Sequence, residues 1–186
     1  MIKEFMRRKS VRLFACAVLM SSLPLYAQFA EEPVLEYILA PGEMAHRGTA
    51  SVIVFADGRV RVRRPNYWRN SGTFESQLPR ERIADLLKLV RSVNLTELSP
   101  DTLFQAHAET DGKSRLFEVH DADSVTLVIR QLGIENQVIV MAPAAQLDRL
   151  PNQEALSSFV DIDAKFRELL SSTDDARRVT EKEMAQ

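Results

Sequence analysis

Two strand-like runs, the largely apolar Ser51-Val-Ile-Val-Phe55 and the alternating Arg59-Val-Arg-Val-Arg63, meet at Ala56-Asp57-Gly58, and this junction constrains the fold more than any other stretch. β-Branched residues favour an extended backbone, and alternation buries one face of it. Asp-Gly between such runs supplies the positive φ that a tight reversal demands. The sequence therefore predicts a hairpin, with Val60 and Val62 on one face and Arg59, Arg61 and Arg63 on the other.

Other elements group around this hairpin. Val34-Leu-Glu-Tyr-Ile-Leu39, stopped by Pro41-Gly42, reads as an earlier strand, and Gly72-Thr-Phe-Glu75 as a short later one. Ser124-Val-Thr-Leu-Val-Ile129 and Gln137-Val-Ile-Val-Met141 form a second hairpin, and residues 115–119 read as a further short strand. Helical spacing occurs twice. Residues 79–93 place Ile83, Leu86, Leu87, Val90 and Val93 on one stripe, with Pro79 tolerated in the first turn. Residues 152–170 align Leu156, Phe159, Ile162 or Asp163, Phe166, Leu169 and Leu170, with Asn152 as the expected cap. The order predicts an α+β class: an antiparallel sheet built from two hairpins plus an N-terminal strand, with two amphipathic helices packed on one face. With 186 residues and no Gly/Ser-rich or Pro-rich linker, a single domain over 28–170 is expected. Residues 171–186, seven of them charged, are expected to be a disordered tail.

The N-terminus carries a destination. Lys3, Arg7, Arg8, Lys9 and Arg12 stand against Glu4 and precede an apolar run over 13–25 that Ser21, Ser22 and Pro24 interrupt. A basic start followed by a short apolar run is the pattern of a secretory signal peptide, and the run falls short of the ~20 residues of a spanning helix. Cleavage is expected after Ala27, giving a periplasmic or secreted protein with no transmembrane segment after processing. Cys16 precedes most of the apolar run, whereas a lipidated cysteine follows it. Beyond Ala27 the chain has no cysteine, so neither disulfides nor thiol chemistry are available. Residues 1–27 hold five of the 24 Lys and Arg and one of the 26 Asp and Glu, so the remainder carries a formal charge of −6. That balance argues against nucleic acid, whose binding runs on neutralising phosphates.

Motifs for catalysis are missing: the sequence has no Gly-x-Ser-x-Gly elbow, no phosphate-binding Gly-x-x-x-x-Gly-Lys loop, no His-Glu-x-x-His and no Ser-x-x-Lys. The expectation is a non-enzymatic protein with no cofactor. His120-Asp121-Ala122-Asp123 is the one metal candidate, with Asp121 and Asp123 as oxygen ligands and His120 beside them; Asp-rich turns before strands also arise because Asp bonds its own backbone. Asn94-Leu95-Thr96 matches the glycosylation acceptor pattern and reads as a chance match.

Basic residues are concentrated instead. Between His46 and Asn70 stand Arg47, Arg59, Arg61, Arg63, Arg64 and Arg69, against Asp57 as the only acid. Tyr67 and Trp68, the only tryptophan, adjoin Arg69, and Tyr, Trp and Arg are the types enriched at interaction hot spots. Arg59, Arg61, Arg63, Arg64, Tyr67, Trp68 and Arg69 thus form the candidate partner-binding set. The expected partner is a protein or an anionic envelope component. The alternatives are an inhibitor of an extracytoplasmic protease, acting through a loop or sheet edge, and a metal-dependent enzyme using His120, Asp121 and Asp123.

The strand and loop, the hairpin with Asp57-Gly58 at its tip, Leu78-Pro79 opening a helix that ends near Asn94-Leu95, and Val119-His-Asp121 leading into Ser124-Val-Thr-Leu-Val128 resemble small exported bacterial domains of unknown function. Those domains often carry a Cys-Pro step before the first hairpin. Here His46-Arg47-Gly48-Thr49-Ala50 occupies that place with neither residue, which removes any redox role. The order of elements also looks like emfourin-type inhibitors of secreted zinc metalloproteases. That likeness is one of topology and carries over no inhibitory residues. Either resemblance spans residues 34–170.

Overall fold

A computed structural model describes residues 32–42, 48–103, 106, 122–131, 134–172 and 176–180. The segment expected to be a signal peptide, with Cys16 and Ala27, then His46 and Arg47, the strand expected over 115–119, and His120 and Asp121 lie outside the described residues.

Among the described residues seven strands form one antiparallel sheet: β1 (Pro33–Ala40), β2 (Ala50–Phe55), β3 (Arg59–Arg64), β4 (Gly72–Gln77), β5 (Ser124–Gln131), β6 (Ile134–Met141) and β7 (Arg177–Val179). Their spatial order is β6-β5-β1-β2-β3-β4-β7. Both expected hairpins are present, as β2–β3 and β5–β6, and the N-terminal strand lies between them. The α+β class and the antiparallel sheet are therefore as the patterns predict.

Alternation sorts the two faces. Leu35, Tyr37 and Leu39 of β1, Val52 and Val54 of β2, Val60 and Val62 of β3, Val125 and Leu127 of β5, and Val138 and Val140 of β6 point inward and are buried. Helices α1 (Arg80–Ser92) and α3 (Glu154–Ser171) close over this face. α3 supplies Leu156, Phe159, Ile162, Phe166 and Leu170, and α1 supplies Ile83, Leu86 and Val90. Each such side chain taken from water contributes roughly 1.5–3 kcal/mol.

The first hairpin turns through Ala56, Asp57 and Gly58 as the sequence predicts: Gly58 N donates to Phe55 O at 3.1 Å, and of the three Gly58 has positive φ, +92°. Three details depart from the sequence reading. Asn152 lies in a turn and the cap position is Gln153, which makes no side-chain capping bond. A short helix, α2 (Pro143–Arg149), fills the space before α3, opened by a proline whose missing N–H costs nothing in a first turn. Residues 177–179 are not a loose tail but pair with β4 as the last strand of the sheet. A three-residue strand with two arginines has no local signature; the free edge of β4 creates it.

Candidate functional site

The outer face of β3 carries the residues of interest, and the hairpin tip fixes where they start. Asp57 accepts from the Arg59 backbone N–H at 3.0 Å and from Arg59 Nε at 2.8 Å. Burial pushes the Asp57 carboxyl up, but these bonds and the guanidinium charge prevail and hold it below the usual carboxylate range. Two residues on, Arg61 bonds Glu75 of β4 at 2.7 Å, directly across in register.

Phe55 lies beneath both arginines. By parity it belongs on the outer face, yet it is only 6% exposed. The Arg59 and Arg61 guanidiniums stand 4.7 and 5.4 Å from its ring centroid. The aliphatic stems and the cation–ring attraction thus help to shield this aromatic. Arg63, the third in the row, is exposed and has no ion-pair partner among the described residues.

Register extends this face to the edge of the sheet. Arg177 of β7 stands across Glu75, which places Arg61, Glu75 and Arg177 in one row. Arg178 donates to Ser71 O at 3.1 Å, at the loop that follows β3. Glu75 and Arg177 were absent from the sequence-derived set, because only the pairing of β4 with β3 and β7 brings them there; Arg178 stands across Phe74, in the row of the inward-facing Val62, and is not part of this face.

The remaining candidates divide. Arg69 is exposed. Tyr67 is half-buried, its hydroxyl donating to Gly48 O at 3.4 Å, and Trp68 is half-buried and packs against the core. Arg64 leaves the surface altogether. It shares the inward parity of Val60 and Val62, is 5% exposed, and donates to Leu170 O at 2.7 Å and Ser172 O at 2.6 Å. Its guanidinium also lies 4.8 Å from the Phe74 ring centroid. A cation against the last carbonyls of α3 satisfies orphan acceptors and suits the helix dipole. Arg64 is a structural residue, not part of a contact surface.

Asp123, the described member of the metal candidate, accepts from Arg167 at 3.3 Å. Arg167 also holds Asp163, which accepts from the Tyr37 hydroxyl at 2.5 Å. Asp123 is thereby the partly exposed end of a polar network whose buried end is Asp163 and Tyr37. Among the described residues no three His, Cys, Asp or Glu side chains gather as metal ligands. Asn94, the glycosylation-like residue, caps the 3₁₀ turn Leu95–Leu98 by accepting from Thr96 N.

Fold and surface together define a class: an α+β sheet protein with a basic outer face at one end of the sheet. No protein-family model matches the chain, and no curated protein matches its sequence. Among the described residues no helix is long and apolar enough to cross a membrane.

Proposed function

We propose that this chain is an exported, non-enzymatic binding protein whose basic outer face, formed by β3, β4 and β7, takes an acidic partner, either a protein or an anionic envelope component. The observation that carries the reading is the row Arg59, Arg61, Arg63 extended across Glu75 to Arg177, with Arg63 unpaired among the described residues. Guanidiniums stay charged at neutral pH and present fixed donor forks, which suits recognition of carboxylate or phosphate rather than proton transfer. Arg59 and Arg61 are held by Asp57 and Glu75 and so are pre-positioned. Arg63 and Arg69 are the residues available to a newcomer. The basic start and short apolar run of residues 1–27 support export.

The test is capture from envelope extract with the full chain tagged at its C-terminus, beside the double variant Arg63→Glu, Arg69→Glu. The expected result is a partner held by the parent, released by about 0.5 M salt as screening removes surface attraction, and lost from the variant. Identical partners on both would overturn the reading. A protease as the captured protein would assign the inhibitor role instead.

A further inference from the structure

The two edges of the sheet differ in kind. β7 is three residues long and carries Arg177 and Arg178, the charged and short form in which natural sheets blunt an edge. β6 is eight residues long and pairs with β5 over eight consecutive positions without a bulge. Among the described residues nothing pairs with its other side. From Asn136 to Met141 it holds no charge, no proline and no glycine. The exposed large apolar side chains among the described residues, Ile134 at 63%, Ile139 at 50% and Met141 at 55%, all belong to this strand.

We propose that β6 is a homodimer interface, in which the strand pairs antiparallel with the same strand of a second copy about a two-fold axis through Ile139. An open ladder of N–H and C=O groups is met by another strand, and an isologous contact requires a self-complementary one. Centring on Ile139 sets Ile139 against Ile139, Val138 against Val140 and Gln137 against Met141. All the pairs then keep their faces: Val138 and Val140 continue the inner face, while Ile139 and Met141 of both copies shield one another on the outer. No like charges oppose each other. Glu135, the strand's only charge, lies outside the paired stretch and bonds Arg130 at 2.8 Å.

Charge favours a second copy here and not at the other edge. The basic face lies at the β3–β4–β7 end, so self-association there would set arginines against arginines. Pairing through β6 keeps the two basic faces at opposite ends of a continuous fourteen-stranded sheet. The dimer would be bivalent toward a repeating acidic partner, which raises avidity without any new contact.

The experiment uses the full chain with Cys16→Ser, which leaves no other cysteine. Sedimentation equilibrium at about 50 µM should give twice the chain mass of 21.1 kDa, and Ile139→Lys should halve it while circular dichroism keeps the folded spectrum. Ile139→Cys should form an intermolecular disulfide under mild oxidation, since paired Cα atoms about 4.5–5.5 Å apart are within bridging range. Ile134→Cys, more exposed but outside the paired stretch, should not. A monomeric parent overturns the proposal and leaves the edge to a foreign strand. Equal crosslinking at 134 and 139 also overturns it, and so does a dimer that Ile139→Lys leaves intact.

Discussion

Arg63 and Arg64 are neighbours in the chain and opposites in the molecule. A strand turns over every residue, so one guanidinium meets water and the other meets the last carbonyls of α3. Arg64→Met keeps an unbranched stem of similar length but orphans Leu170 O and Ser172 O. Losing charge-assisted bonds at a buried site costs about 2–4 kcal/mol, read as a fall in the urea midpoint. Arg63→Met should change the unfolding free energy by less than about 0.5 kcal/mol and so leave that midpoint nearly in place. The difference was legible in the alternation, had it been carried one residue past Arg63: Arg64 continues the series of Val60 and Val62. A dense run of arginines masks phase, because charge suggests solvent wherever it falls. Phe55 is the converse case, an aromatic on the outer face with two arginine guanidiniums over its ring.

At the level of elements, the hairpin β2–β3 is clamped from outside as well as by its own turn. Gln77 Nε2 donates to Asp57 O at 2.8 Å and Leu78 N to Gly58 O at 3.0 Å, so the end of β4 grips the tip. A Cβ at Gly58 would lie 2.6 Å from Gln77 Nε2 and 2.9 Å from Ile83 Cδ1, on a backbone with φ +92°. Gly58→Ala therefore adds positive-φ strain of about 1 kcal/mol to a steric conflict of at least similar size. A loss of about 2–3 kcal/mol is expected by chemical denaturation, with Ala56→Gly as a mild control. Both hairpins and both long helices were readable, since their periods and turns are written within a dozen residues. β7 was not. Its two arginines and one valine become a strand only because β4 offers them a ladder, and pairing across a hundred residues leaves no trace in a local pattern.

Across the whole molecule, one polar network, buried at Tyr37 and Asp163 and partly exposed at Arg167 and Asp123, joins distant parts of the chain. Tyr37 of β1 donates to Asp163 of α3, Arg167 clasps Asp163, and Asp123 before β5 accepts from Arg167. Tyr37 also stacks on Phe166, ring centroids 4.9 Å apart. Burial, and then the bond to Asp163 and its negative charge, drive the Tyr37 phenol far above its ordinary value, against an opposing pull from Arg167. The unfolded chain releases that proton near pH 10 and the folded one retains it. Stability from this group is thus complete below about pH 10 and falls as pH rises, by up to about 1.4 kcal/mol per unit. Denaturation measured from pH 8 to 11 should show that slope, and Tyr37→Phe should reduce it by one proton while lowering stability at pH 8 by about 1–2 kcal/mol. The position of Tyr37 in a strand was plain from the sequence, but its partner lies 126 residues away. β1 also stands in the middle of the sheet, between a neighbour that follows at once and one that begins only at Ser124. A nascent chain can lay down β1 through β4 by short-range closures, yet one flank of β1 waits for most of the polypeptide to exist. Pairings of such wide separation slow folding, so the sheet stays open on that side of β1 until Ser124–Gln131 has been made.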